Sequence, residues 1–361
     1  MLILNNDELQ RVITMDQVMP AVESAYLELF RGEATCMPRC NVELPTKLPG
    51  KTYAMGITAG GSSTNGYLTI RLQSDVTYLQ EQNGLQTREK YCVRPGVWCG
   101  LYLLFDADNG EPLAVMNDGY LQHLRQGADG GIGAKYMARE DARVLGILGS
   151  GGMARTHAPA ICLARNITKI KVYSPTRENR EAFAREMATT LGIDVEPVEH
   201  PRMAHEGVDI LATCADAHEP IAIGEWLEPG THIVYAAGSL DQNAAAKVDV
   251  TLRLGNTPSP RGKDWQERSD TVVWAADLLT KTSHARSGIG VIPRDREIGL
   301  RDLLAGTAKG RTGREQITHS DRGGMRGVEH NVAAGRAYEL AKQQGLGREI
   351  PTEWFLQNIR D

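Results

Sequence analysis

The chain has 361 residues, 41% hydrophobic and 24% charged, with a formal net charge of −5. That composition belongs to a globular protein long enough for two domains with sizeable cores, and it excludes extended disorder. The negative balance, without a run of five like charges, gives no general attraction to nucleic acid or to an anionic membrane surface.

The N-terminus, MLILNNDELQ, lacks the basic start and apolar stretch of a secretory signal, so a cytoplasmic location is the expectation. Thr14-Met15-Asp16-Gln17 has capping-box form, and Val18, Val22, Ala25, Tyr26, Leu29 and Phe30 follow at helical spacing. Pro20 sits past the first turn, where it threatens to kink this helix or move its start toward residue 19. From residue 39 to 106 the pattern turns to short β-type segments, NVELP, KTYAMGI, YLTIRLQSDVTYL and WCGLYLLFD, separated by Gly, Asn and Pro. This predicts a mostly antiparallel N-terminal region. Its longest nearly apolar run, GVWCGLYLLF, is about half of what a membrane-spanning helix needs. After a break at Gly110-Glu111-Pro112, a long helix is expected within residues 113–141.

Strand and helix signals then alternate: VLGIL, a helix to Arg165, KIKVYS, ENREAFAREMATTLG, DVEPV, VDILATC and HIVYAAG. Such alternation predicts a parallel sheet covered on both faces, hence an α/β protein. A loop is expected after Gly255, with the signal recovering at 271–279 and 298–304, and a helix over 328–344 that Gly345 ends. Six cysteines without CxxC spacing read as reduced thiols, not a metal site.

Residues 144–157, VLGILGSGGMARTH, are a strand, a glycine turn and a helix start. In a βαβ unit the first glycine permits the turn, the second admits a pyrophosphate to the backbone, and a third small residue lets helix and strand pack. Those roles fall on Gly149, Gly151 and Ala154, with Ser150, Gly152 and Met153 completing the turn. A dinucleotide pyrophosphate is therefore expected on the free N–H groups at the helix start. The next strand ends in Ser174-Pro175-Thr176-Arg177, not in the acid that holds an NAD ribose. Two hydroxyls and a guanidinium suit a 2′-phosphate, so NADP(H) is favoured over NAD(H).

With GSGGMA preceded by GAKYMAREDARVLGIL, LLFDADNGEPLAV followed by LRQGA, ATCADAHEPIAIGEWLEPGTHIVYAAG, and GRAYELAKQQGLG near the end, the chain resembles the ornithine cyclodeaminase/mu-crystallin family. The resemblance implies a Rossmann dinucleotide-binding domain (residues 126–319) beside an α+β substrate and dimerisation domain (1–125, completed by 320–361). It implies a homodimer, and a pocket between the domains for a small amino or imino acid. It extends the cofactor contacts to Thr213, Cys214 and Gly238. The family's carboxylate-binding arginine resembles Arg39; its basic residue on a later strand, usually lysine, is Arg71 here; a further arginine corresponds to Arg125, followed by Gln126 in place of threonine. Each guanidinium can grip a carboxylate through two hydrogen bonds.

Two departures from the family bear on chemistry. Cyclodeaminases carry an acid just after the strand ending at Gly238, where this chain has Leu240, with Asp241 one step on. Residues 80–95, QEQNGLQTREKYCVRP, are longer than the usual connection and bring Arg88, Lys90 and Tyr91 toward the expected substrate mouth. The implied reaction moves hydride between nicotinamide and an α-carbon, with Lys90, Tyr91 and Asp241 as candidates for the proton on nitrogen. Three readings stand: an NAD(P)-dependent imine reductase or amino acid dehydrogenase, a cyclodeaminase using catalytic NAD, and a non-enzymatic cofactor- and ligand-binding protein.

Overall fold

The computed structural model describes residues 1–37, 39–82, 85–215, 217, 219–255, 270–274, 289–323 and 325–359, without the side chains of 81–88 and 270–274. The expected loop at 256–269 and the stretch 275–279 therefore lie outside the described residues, as does the Arg88 side chain.

The first sheet runs, neighbour by neighbour, through Asp270–Trp274, Arg39–Pro45, Lys51–Ser62, Tyr67–Gln82, Cys99–Asp106, Pro112–Asn117, Leu2–Leu4 and Arg348–Glu349. Most of it is antiparallel, as the β-type segments and turn residues predict. Two pairings are parallel, Leu2–Leu4 on Pro112–Asn117 and Asp270–Trp274 on Arg39–Pro45. The second of these lies within the range expected for the dinucleotide domain, yet it joins the other sheet. Leu85–Cys92 pairs antiparallel with Tyr67–Gln82, Val76 facing Tyr91, and with Arg94–Pro95.

Helix Met15–Arg31 starts where its sequence says: Thr14 N–H donates to Gln17 Oε1 at 3.1 Å, and Gly32 closes it in the left-handed region. Pro20 stays inside it without moving the start. The proline and Asp16 are both exposed, so the Asp16 carbonyl deprived of its helical partner can turn to water. Two more helices, Gly119–Met137 and Gly327–Gln343, pack on this one. Their contacts form a core around Leu9, Val18, Val22, Tyr26, Leu124, Ile132, Val328 and Ala337.

The second sheet is parallel throughout, in the order Asp194–Pro197, Lys169–Tyr173, Val144–Leu148, Ile210–Thr213, His232–Tyr235, Ile317–Asp321, Val248–Arg253 and Glu297–Gly299. The chain leaves Val144–Leu148 in one direction and returns to Ile210–Thr213 on its other side. At that reversal the carboxyl ends of neighbouring strands open a crevice, the place where open α/β sheets bind their ligands. Ile317–Asp321 was not expected as a strand because ITHSD reads as polar. Its polar groups are used inside the sheet, where Thr318 Oγ1 lies 2.9 Å from His232 Nδ1. Among the described residues no helix is long and apolar enough to cross a membrane.

Candidate functional site

The glycine turn sits at the mouth of the crevice. Gly149 has φ +112°, and a Cβ there would meet the Cys214 carbonyl oxygen at 2.7 Å, so both the torsion and the neighbouring strand demand glycine. Gly151 differs: its backbone is extended (φ −84°, ψ −167°), and nothing lies within 4 Å of where its Cβ would be. The fold itself does not need that glycine, whereas a phosphate approaching the backbone would. Gly151 is also the N-cap of helix Gly152–Ala164, without a side chain to satisfy the first N–H groups. Ala154 is fully buried beneath the strand, as close helix packing requires.

Ser150 Oγ donates to Ser174 Oγ at 2.9 Å, tying the turn to the end of the next strand. Thr176 is the N-cap of helix Arg177–Leu191. The exposed Arg177 pairs with Glu181 one turn on, at 2.7 Å. Thr213 is buried with its hydroxyl toward the Val234 carbonyl, and Cys214 and Gly238, just past the strands Ile210–Thr213 and His232–Tyr235, lie beside the crevice.

A cavity of about 600 Å³ opens from this crevice between the two sheets. Arg39, Arg71, Lys90 and Arg125 line it together with Met153, Cys214 and Gly238, so candidates more than 150 positions apart in sequence share one space. Arg71 is held by Asp118, with Nε and Nη2 at 2.8 and 2.6 Å from Oδ2, and both side chains are buried. Arg125, on helix Gly119–Met137, places Nη1 2.5 Å from Glu329 Oε2 and Nη2 2.9 Å from Gln122 Oε1. Arg39 Nε donates to Asn41 Oδ1 at 2.9 Å. Acids behind the wall thus fix two of the three guanidinium groups from one side.

Behind Arg125, the Tyr26 hydroxyl lies 2.9 Å from Asp129 Oδ1 and 2.8 Å from Glu329 Oε1. Burial, then the Glu329 charge, pushes the Asp129 carboxyl well above its usual range.

The proton candidates separate. Lys90 reaches the cavity from the strand Leu85–Cys92, with Nζ 5.9 Å from the Trp98 ring. The Tyr91 hydroxyl is instead the partner of Lys51 Nζ at 3.1 Å. Asp241 is not brought into the cavity: its carboxylate caps helix Gln242–Lys247, accepting from Ala244 N–H at 2.6 Å and Gly224 N–H at 3.0 Å, and Leu240 is buried in the core.

Sequence reasoning missed His123, Arg322, Arg326 and His330, which also line the cavity. His123 lies against the glycine turn, where a Cβ on Gly152 would strike its ring, and burial lowers its pKa. His330 Nδ1 is 2.7 Å from the Tyr102 hydroxyl, and burial followed by the charges of Arg125 and Arg71 holds its imidazole well below the usual range. A usable signal existed for three of these. Glu329-His330-Asn331 interrupts an otherwise apolar helix face, and Arg322 and Arg326 flank a glycine pair just before that helix.

The sequence profile of the ornithine cyclodeaminase/mu-crystallin family matches residues 1–345. A Delta(1)-pyrroline-2-carboxylate reductase of Bacillus cereus (strain ZK / E33L) is 27% identical over 352 residues, spanning 97% of this chain and 99% of the relative. An alanine dehydrogenase of Archaeoglobus fulgidus is 28% identical over 357 residues, 97% and 98% of the two chains. Among solved structures, Thermococcus litoralis Delta(1)-pyrroline-2-carboxylate reductase in complex with NADH and L-proline superposes with a TM-score of 0.73 at 28% identity, covering 97% of this chain and 100% of that one.

Proposed function

Because the chain belongs to the ornithine cyclodeaminase/mu-crystallin family, we propose that it is an NAD(P)(H)-dependent imine reductase or amino acid dehydrogenase acting on a small α-imino or α-amino acid. The observation that carries this reading is the shared cavity, which Arg39, Arg71 and Arg125 line together with Cys214 and Gly238 from the loops after the strands Ile210–Thr213 and His232–Tyr235. The relatives' names point to the same chemistry. When bound, the nicotinamide supplies or accepts the hydride.

The remaining work falls to this chain's residues. The open space at Gly151 and the uncapped helix start would hold the pyrophosphate. The arginines would grip the substrate carboxylate, and the buried acids Asp118 and Glu329 keep the Arg71 and Arg125 forks aimed without a search through rotamers. An imine accepts hydride well only when protonated. Arg71 stands where the family usually has lysine, and a guanidinium does not release its proton near neutral pH. His123 and Lys90 are the cavity groups left for that task. For the cofactor we favour NADP(H), because Ser174, Thr176 and Arg177 stand where an acid would repel a 2′-phosphate. Arg177 would then exchange Glu181 for the phosphate. We also read the chain as a homodimer, its exposed Trp354, Phe355 and Leu356 offering an apolar surface to a second copy; sedimentation velocity tests that reading.

The deciding experiment follows nicotinamide absorbance with NADPH and NADH over a panel of cyclic and linear imino acids. Stoichiometric cofactor oxidation supports the proposal. Ammonia release from ornithine with no net change in cofactor would replace it with a cyclodeaminase, and cofactor binding without turnover of any imine with a binding protein.

A further inference from the structure

The cavity's charge balance points to more than one acid on the substrate. Among the described residues six cations line it, Arg39, Arg71, Lys90, Arg125, Arg322 and Arg326, and no Asp or Glu does. The wall supplies Asp118 to Arg71 and Glu329 to Arg125. Arg322 and Arg326, by contrast, meet only neutral partners among the described residues: Arg322 Nη1 donates to Gln126 Oε1 and Nη2 to the Ala236 carbonyl at 3.3 Å, and Arg326 Nε donates to the Gly323 carbonyl at 3.3 Å. Like charges this near one another repel. Burial, then the charges of Arg326 and Arg125, lowers the Arg322 pKa to about 10, which leaves it cationic at neutral pH. Glu329 and Asp129 attract Arg322 without contacting it, and a half-buried cationic pair with no ion-pair partner in contact among the described residues is costly, a cost that an anion bound between the two would offset.

The known demands on this space do not supply enough negative charge. The place for a pyrophosphate is at the Gly149–Gly151 turn, where backbone N–H groups serve it, and one α-carboxylate matches the arginines already noted. We infer that Arg322 and Arg326 form a second anion subsite, and that the substrate is an imino or amino acid bearing a second acidic group, such as a side-chain carboxylate. The inference rests on the proposed hydride chemistry only for its assay, since the subsite itself is a matter of binding.

Two measurements test it. Imines formed with excess ammonia from matched oxo acids, oxaloacetate against 2-oxobutyrate and 2-oxoglutarate against 2-oxopentanoate, are compared by NAD(P)H oxidation. Binding of L-aspartate against L-2-aminobutyrate, and of L-glutamate against L-norvaline, is measured by calorimetry in the presence of NADP+. At least one diacid is expected to exceed its monoacid match more than tenfold in kcat/KM and in affinity. Arg326→Met should reduce that ratio at least tenfold, and Arg326→Lys, which keeps the charge, should retain most of it. Arg322→Met should act alike, with thermal unfolding reporting whether loss of its Gln126 contact disturbs the fold. Diacids that bind and react no better than their matches overturn the inference while leaving the imine reductase reading intact. Selective diacid binding without turnover of any imine does the reverse. An Arg326→Met variant that weakens NADPH binding and keeps the diacid ratio would assign these arginines to the cofactor and also overturn it.

Discussion

Replacing Gly151 by valine separates cofactor binding from folding. The residue has extended torsions that a β-branched side chain adopts readily, and its Cβ would meet no atom within 4 Å. The apo protein should therefore keep its stability to within about 1 kcal/mol, because restricting the unfolded chain at such a site usually contributes ~0.4–1 kcal/mol in favour of folding. Binding should behave differently. Charge-assisted N–H contacts to a phosphate contribute roughly 1.5–3 kcal/mol each, so excluding the pyrophosphate from two of them raises Kd at least about a hundredfold. Gly149→Ala is the opposite control. Its φ of +112° and the Cys214 carbonyl 2.7 Å from the new Cβ put strain of order 1–3 kcal/mol into the fold itself. NADH and NADPH titrations by nicotinamide fluorescence, with thermal unfolding of each apo variant, read both quantities. The reasoning is refuted if Gly151→Val binds cofactor within about threefold of wild type, or if its apo form loses more stability than Gly149→Ala.

The arginines should not respond alike to methionine. Arg39→Met is expected to lower kcat/KM on the best substrate roughly ten- to hundredfold, by loss of a charge-assisted contact. Arg71→Met and Arg125→Met should also destabilise the protein by about 3–5 kcal/mol, since each strands a fully buried carboxylate, Asp118 or Glu329; denaturation midpoints equal to that of Arg39→Met would contradict this. Lysine at 71 should recover stability better than methionine, because it keeps the charge beside Asp118. Arg177→Ala should weaken NADPH binding and leave NADH binding nearly unchanged; equal effects on the two cofactors would remove Arg177 from the 2′-phosphate site. Acid should destabilise the fold through its buried histidines. Burial lowers His157 and His319 to about 4, so the unfolded chain binds their protons first, and the stability present above pH 6.5 is lost as pH falls from 6.5 toward 4. Each histidine contributes about 2 kcal/mol of that loss by pH 5. Urea midpoints that stay level between pH 7.5 and 5 would rule this out.

Much of this architecture was legible because it is local. The strand–turn–helix at Gly149 is written in consecutive residues, and each β-type segment of the first domain carries its own turn residues. The parallel sheet could be inferred from alternation alone. What escaped depended on partners far away in sequence. Ile317–Asp321 reads as polar because its Thr and His side chains find partners, His232 and Thr251, on strands more than sixty residues distant. Asp270–Trp274 is apolar enough to be a strand, but no local signal says which sheet it joins.

The site divides along the same line. Arg39, Arg71 and Arg125 could be nominated one by one, yet their setting could not, because Asp118 and Glu329 are ordinary acids in sequence that become buried counter-charges when the helices close. Asp241 shows the converse. An acid beside the right strand end looked available for the substrate's nitrogen, but the short helix that follows has orphan N–H groups at its start, and Asp241 is the residue placed to accept from them. Its Oδ1 accepts from both Ala244 N–H and Gly224 N–H, so the carboxylate is engaged at the helix start and not in the cavity. Proton transfer is therefore better sought at His123, whose pKa is lowered by burial and whose ring lies against Gly152 and lines the cavity that the arginines share. Replacing it by glutamine preserves much of the ring's volume while removing titration near neutrality. If His123 holds the proton, His123→Gln should lower kcat more than it raises KM and flatten the alkaline limb of the pH–rate profile for imine reduction. A variant that keeps that limb would return the task to Lys90 at the cavity mouth.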